Sequence, residues 1–113
     1  MDELFLNVKS QLVYVLENQL KIKSEFFLKK FGTPDSPDVL NDYYTSILDG
    51  IIELLQQNYD FIKDKSQSLL NKLPDINDLS EDDRIILNGK VNSFIDEELS
   101  IVFFDKIINE ILN

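Results

Sequence analysis

The sequence contains no cysteine, histidine, tryptophan or alanine, and the first two absences exclude whole classes of chemistry. Without cysteine there is no disulfide scaffold, no thiolate nucleophile and no thiolate metal site. Without histidine the chain lacks the commonest general base and metal ligand, which excludes typical zinc hydrolases and Ser-His-Asp triads. The chain also has no glycine-rich loop of the kind that binds phosphate groups, and no Gly-x-Ser-x-Gly motif of the kind that carries a nucleophilic serine. We therefore expect no enzyme, no catalytic residue and no cofactor.

Metal binding by carboxylates alone is also poorly supported. Residues 75–86 match a calcium loop at its first and third positions only, because Leu79 occupies a ligand position and Ile86 replaces the terminal Glu. Di-iron sites in helical bundles need a Glu-x-x-His motif, which the chain does not contain. Mg²⁺ binding by the paired carboxylates of Asp96 and Glu97 together with Glu53 is a weak alternative, so we predict no metal site.

Residues with GC-rich codons are scarce, with three Gly, three Pro and a single Arg, whereas Ile, Asn and Lys are frequent. This pattern is typical of an AT-rich gene, as in low-GC bacteria and phages. The first four residues include the acids Asp2 and Glu3, whereas a secretory signal peptide begins with basic residues. No apolar run approaches the roughly 20 residues of a membrane span. We expect a cytoplasmic protein that does not interact with membranes.

The length of 113 residues, 43% of them hydrophobic, predicts a single domain over 1–113. Apolar residues recur every three or four positions in three segments, 3–31, 37–73 and 81–112, and no segment alternates with the period of a strand. The fold prediction is therefore all-α, an up-and-down antiparallel bundle of three long helices that breaks could divide into four or five segments.

The ends and interruptions of these helices can also be predicted. Gly32 suits a helix C-terminus, Ser36 suits an N-cap before Pro37, and Ser80 followed by three acids suits a second N-cap. We expect the first segment to be unbroken and the second to break or kink near Gln57-Asn58, since residues 63–68 are all polar. The apolar stripe of the third segment drifts around 98–100, which could mark another break.

Asn88-Gly89 has two interpretations. Asn-Gly between apolar runs is a strong signal for a type I′ hairpin. Against this, the Ser80 cap and the acids that follow it indicate a helix that begins just before the pair. We favour the helix.

The net charge of −10 is unevenly distributed. Residues 32–62 contain six acids and no base, and residues 74–113 contain ten acids and three bases. On the second helix the acids recur at intervals of four or seven residues, which places them on one face opposite the apolar stripe, with Asp60 included if the helix continues that far. We call these residues the acidic strip: Asp38, Asp42, Asp49, Glu53 and Asp60.

The strip has two interpretations, a solvated face of an acidic protein or a docking surface for a cationic partner. Helix surfaces normally interleave charges of opposite sign at i,i+4, and like charges at this spacing are destabilising. Uncompensated charge instead raises association rates and selects partners. Tyrosines beside acids suit interface anchors, although packing within the bundle is the alternative for each. The predicted partner-binding residues are Asp38, Asp42, Tyr44, Asp49, Glu53, Tyr59, Asp60, Asp96 and Glu97.

Two other features of the sequence bear on binding, an aromatic residue and a cluster of lysines. Tyr14 lies opposite the apolar stripe of the first helix, so it is either exposed or in contact with another helix. Nucleic-acid binding is disfavoured because the chain has no basic stripe. Its one basic cluster, at Lys21, Lys23, Lys29 and Lys30, suits the C-terminus of the first helix.

The leading hypothesis is a protein-binding module that neutralises a basic partner protein, such as a nuclease toxin, by occluding its active cleft. A bacterial immunity protein or antitoxin fits this description. The alternatives are a bundle that self-associates through a wide apolar stripe, and a phage-type inhibitor whose carboxylates mimic DNA. The sequence leaves the partner's identity and the oligomeric state open.

Overall fold

A computed structural model of the chain describes residues 2–112, and nearly all of them are helical. Within this range the absence of any β-strand confirms the predicted all-α class. The α-helices are α1 (Asp2–Gln19), α2 (Ser24–Phe31), α3 (Leu40–Gln57), α4 (Tyr59–Asn71), α5 (Glu81–Ser93) and α6 (Leu99–Leu112). Short 3₁₀ turns at Pro37–Val39 and Ile76–Asp78 precede α3 and α5, and a π-helical turn at Phe94–Glu98 joins α5 to α6.

The helices form three rods: rod 1 is α1 and α2, rod 2 is α3 and α4, and rod 3 is α5, the π turn and α6. Helix α1 packs against α4 and α5, whereas α2 packs against α3 and α6. Consecutive rods therefore run in opposite directions, which confirms the up-and-down antiparallel bundle of three. The molecule measures 54 × 21 × 21 Å, close to the roughly 48 Å expected for rod 3 as one helix.

Rod 1 is broken, so the prediction of an unbroken first helix is wrong. Helix α1 ends at Gln19, and Lys21 adopts a left-handed backbone with φ of 57°. Ile22 is nevertheless buried, which is why the apolar spacing continues through the break. The break shifts the phase of α2 by one residue, so that Phe27 is buried and Phe26, expected in the apolar stripe, is 38% exposed.

Rod 2 breaks at Asn58, where the sequence predicted a break. The Asn58 backbone N–H donates to Leu55 O at 3.3 Å, and its side-chain Nδ2 donates to Leu54 O at 2.8 Å. The side chain thus supplies the hydrogen bond that the Leu54 carbonyl would accept from a backbone N–H in a regular helix. The carbonyl that the break would leave without a donor is therefore hydrogen-bonded within rod 2 itself, and it needs no partner from a neighbouring rod.

Rod 3 is continuous, so the break suggested near Glu98–Ser100 is absent. The π turn inserts extra residues into the helical turn and rotates the apolar face, which accounts for the drift in the sequence pattern. Through this rotation Phe94, Ile95 and Leu99 are all buried.

The predicted helix ends are largely confirmed. The Gly32 N–H donates to Leu28 O at 2.7 Å with φ of 78°, and the Asp83 N–H donates to Ser80 Oγ at 3.1 Å. Pro37 begins the 3₁₀ turn and Ser36 takes the N-cap position before it, as predicted, although the Ser36 hydroxyl accepts no capping hydrogen bond. The side chain of Ser36 is exposed, and the turn is closed instead by the Val39 N–H on Ser36 O.

The core runs the length of the bundle between the three rods. Rod 1 contributes Val8, Leu12, Leu16 and Phe27, all 0–1% exposed. Gly50 of α3 allows α2 to approach closely, since a Cβ there would lie 3.0 Å from Phe31 Cζ and 3.3 Å from Phe27 Cε1. The contributions of rods 2 and 3 are Tyr43, Ile47, Ile51, Leu55, Ile62, Leu70, Leu73, Leu87, Val91, Phe94, Ile95, Leu99, Phe103 and Ile107.

Gly89 lies inside α5, which confirms the helical interpretation of Asn88-Gly89, and a Cβ there would meet nothing within 4 Å. We expect Gly89→Ala to raise the free energy of unfolding by about 0.5–1 kcal/mol, because Ala favours the helix and restricts the unfolded chain. Urea unfolding followed by circular dichroism measures it. Gly32→Ala is the control and should destabilise, because Gly32 has positive φ. Destabilisation by Gly89→Ala would contradict the helical assignment.

Candidate functional site

The acidic strip lies along rod 2, and its three members on α3 share the outer face of that helix. Asp42, Asp49 and Glu53 are on α3, Asp38 is in the preceding 3₁₀ turn, and Asp60 is in the first turn of α4. All five side chains are exposed. The buried residues of α3, which are Tyr43, Ile47, Ile51 and Leu55, lie on its other face. The phase predicted from the sequence is therefore the phase of the folded helix.

No lysine or arginine within residues 2–112 forms an ion pair with the acidic strip. The ion pairs in this range join Lys63 to Asp96, Lys90 to Asp2 and Lys106 to Glu17. Glu53 Oε1 accepts a hydrogen bond from Gln57 Nε2 at 3.2 Å, which leaves its charge uncompensated. The strip is therefore an exposed row of carboxylates without internal counterions.

Helix-terminus electrostatics explain only part of the strip. Asp42 and Asp60 lie in the first turns of α3 and α4, where a carboxylate interacts favourably with the helix dipole. Asp49 and Glu53 lie well inside α3 and four residues apart, so each repels the other without this compensation. These two residues are the part of the strip that no helix terminus stabilises.

The two tyrosines predicted as anchors have different environments. Tyr44 is half-buried and packs edge-on against Phe104 of α6, with ring centroids 6.3 Å apart. It belongs to the contact between rods 2 and 3. Tyr59 is 43% exposed, and its hydroxyl donates to Asp96 Oδ1 at 3.1 Å. Tyr59 alone of the two presents much of its surface to solvent.

Asp96 is held by residues of rod 2. Lys63 Nζ lies 3.4 Å from Asp96 Oδ1, donates to Asn92 Oδ1 at 3.2 Å and sits 5.1 Å from the Tyr59 ring centroid. Glu97, by contrast, is exposed and lines a groove between α1 and rod 3 beside Phe5. The structure therefore brings Tyr59 and Asp96 together and places Glu97 apart from them.

A cleft between rods 2 and 3 was not predicted from the sequence. It has a volume of about 210 Å³ and lies where α3 meets α4 on one side and the π turn meets α6 on the other. The only sequence signals were the polar break near Asn58 and the drift of the apolar stripe around 98–100. The cleft is lined by Ile52, Leu55, Gln56, Tyr59, Ile62, Ile95, Asp96, Leu99 and Ser100.

Several other findings bear on function. Tyr14 is 69% exposed on α1, which favours an exposed residue over a contact with another helix.

Between residues 2 and 112, no three carboxylates come close enough to hold a metal ion together. None of the helices in this range combines the length and apolar character needed to cross a bilayer. No protein-family model, curated protein or solved structure matches the chain, so its function is inferred from the site itself.

We expect Glu53→Lys to raise the free energy of unfolding by about 0.5 kcal/mol at low salt. The change replaces the repulsion between Asp49 and residue 53 by an attraction in the favourable order, with the acid N-terminal to the base. Urea unfolding at low and high salt measures it, and the gain should shrink in about 1 M NaCl, where the Debye length is about 3 Å. Glu53→Gln should give an intermediate stability. A loss of stability at low salt would show that the strip is already compensated.

Tyr43 is 8% exposed, and its hydroxyl has no hydrogen-bond partner among the described residues. Burial, and then the neighbouring Tyr44, raise the pKa of Tyr43 above its ordinary value of 10.0. Removing the unpaired hydroxyl should therefore stabilise the fold, since a buried polar group without a partner is costly.

We expect Tyr43→Phe to raise the free energy of unfolding at neutral pH by about 1 kcal/mol. Because the unfolded state releases the Tyr43 proton first, the native protein should lose stability as pH rises beyond about 10. This loss should be smaller in Tyr43→Phe. Urea unfolding across this pH range measures both effects. The control is Tyr14→Phe on the exposed surface of α1, which should leave the stability at neutral pH unchanged. An alkaline loss in Tyr43→Phe equal to that of the wild type would contradict the assignment.

Proposed function

We propose that this protein is a cytoplasmic binding module that neutralises a basic protein partner by docking the acidic strip against it. Its biological role would be that of a bacterial immunity protein or antitoxin-type inhibitor, directed for example at a nuclease toxin. A nuclease cleft that binds phosphates is cationic, and a row of fixed carboxylates is complementary to it. Blocking is then steric and electrostatic.

The observation that carries the proposal is the uncompensated charge of Asp49 and Glu53 in the middle of α3. Both are exposed and four residues apart, and neither has an ion-pair partner within residues 2–112. Lysines occur elsewhere on the surface, and three of them form ion pairs with other acids. A pair of like charges at this spacing lowers the stability of the helix by a few tenths of a kcal/mol. A role in binding accounts for the presence of such a pair.

The expected kinetics follow from the charge. Exposed carboxylates steer a cationic partner towards the strip and can raise its association rate by about 10–10³-fold at low salt. Physiological salt reduces this attraction, since the Debye length is then about 8 Å. Fast, salt-sensitive association is therefore the expected signature of this interface.

Self-association is less well supported, because the wide apolar stripes that suggested it are largely used inside the bundle. On rod 1 the residues Val8, Leu12 and Leu16 are all buried, and Leu99 and Phe103 of α6 are buried as well. DNA mimicry needs acids along two adjacent faces. Asp96 is engaged by Lys63, and Glu97 lies in the groove near Phe5, so neither of these two residues extends the strip onto rod 3.

The test compares two triple variants that change the charge equally. The strip variant is Asp42→Asn, Asp49→Asn and Glu53→Gln, and the control variant is Asp64→Asn, Asp105→Asn and Glu110→Gln, whose three acids are exposed elsewhere. A basic protein captured from the native host by the wild-type chain serves as the partner. We expect the strip variant to associate at least about tenfold more slowly at low salt, whereas the control variant retains most of the wild-type rate.

Both variants should retain the wild-type circular dichroism spectrum, since none of the six side chains is buried. Adding the wild-type protein should inhibit the partner's activity. Equal association rates for the strip and control variants would remove the acidic strip from the interface.

A further inference from the structure

We propose that the cleft between rods 2 and 3 is the anchor pocket of the same interface and receives one bulky apolar side chain of the cationic partner. This inference rests on the proposed function and specifies where the partner is held. The acidic strip attracts the partner, and the cleft retains it.

The cleft has an apolar floor and a polar rim. Leu55, Ile62, Ile95 and Leu99 are buried residues that line it, and Ile52 is half-buried. The rim is formed by Gln56, Tyr59, Asp96 and Ser100. An apolar floor inside a polar rim is the usual composition of a pocket that holds an interface hot spot.

The cleft lies between two departures from regular helix geometry. On rod 2, α3 ends at Gln57 and α4 begins at Tyr59. On rod 3, the π turn at Phe94–Glu98 faces this break, and the hydrogen bond from Tyr59 to Asp96 joins the two. The cleft therefore exists before any partner binds, which lowers the entropic cost of binding there.

Its size favours a single side chain. The volume of about 210 Å³ is below the 300–1,000 Å³ typical of small-molecule and cofactor sites. Apolar and aromatic anchors of protein interfaces fill pockets of this smaller kind.

Two exposed acids that form no ion pair within the described residues are sequence neighbours of residues lining the cleft, and their charge favours a cationic partner. Glu53 lies beside Ile52 in the sequence, Asp60 lies beside Tyr59, and both are exposed. Asp96 lines the opposite wall, where Lys63 is its one ion-pair partner within the described residues. An apolar side chain flanked by basic residues would fill the cleft and place its neighbours against Glu53 and Asp60.

The test uses two acetylated heptapeptides with three lysines on each side of a central phenylalanine or a central alanine. Binding is followed by NMR of the isoleucine methyl groups of the whole protein. We expect the phenylalanine peptide to bind about tenfold more tightly. It should also shift the Ile52 methyl signals through the ring current, which the alanine peptide cannot do. Both peptides should bind more weakly at high salt.

Two variants add controls to this comparison. Ser100→Phe fills the cleft from α6 and should remove the tenfold preference. The same substitution at the exposed Ser10 of α1, outside the cleft, should leave the preference intact. If Ser100→Phe does not fold, Gln56→Trp can cover the cleft from its exposed rim, and the wild-type comparison remains decisive.

The outcomes separate the two proposals. Equal affinities for both peptides, with Ile52 unshifted, would overturn the anchor pocket and leave the acidic strip as the binding surface. If neither peptide bound at low salt, both proposals would be overturned.

Discussion

The packing of α3 against α2 and α6 determines which face of α3 is left for water. Gly50 admits the rings of Phe27 and Phe31 from α2, and Tyr44 packs against Phe104 of α6. Because these contacts fix the rotation of α3, the opposite face must point outward, and that face carries the acids. The fold and the docking surface thus depend on the same helix orientation. Turning the acidic face of α3 inward would bury carboxylates and expose core residues together, at a high cost in desolvation.

Each interruption of the rods has a different effect on the surface. At Asn58 the side chain satisfies the Leu54 carbonyl, so the break exists without strain on the neighbouring rods. The π turn opposite it turns Asp96 towards Tyr59 and leaves the cleft between them. Irregular helix geometry and uncompensated charge therefore occur next to each other on one side of the molecule. This coincidence is typical of binding sites, where local structure departs from what stability alone would favour.

Much of the fold could be predicted from the sequence because it depends on local patterns. Apolar spacing identified the three rods, the Ser80 cap located the start of α5, and the spacing of the acids gave the exposed face of α3. The break in rod 1 could not be predicted, because the residues around Lys21 include no Gly or Pro. Ile22 is buried just after the break, so the apolar spacing continues as it would in an unbroken helix. The cleft and the pairing of Asp96 with Lys63 could not be predicted either, since they depend on how rods 2 and 3 meet in space.

The central claim is that an uncompensated negative potential lies along the outer face of α3. Paramagnetic relaxation of backbone amides by a cationic and by a neutral nitroxide of the same size measures it directly. The cationic probe should relax amides around Asp49 and Glu53 more strongly than the neutral probe at low salt, and the difference should disappear at high salt. The difference should be smaller around Lys63, where the charges are paired. Equal relaxation by the two probes along α3 would show that this face carries no uncompensated negative potential.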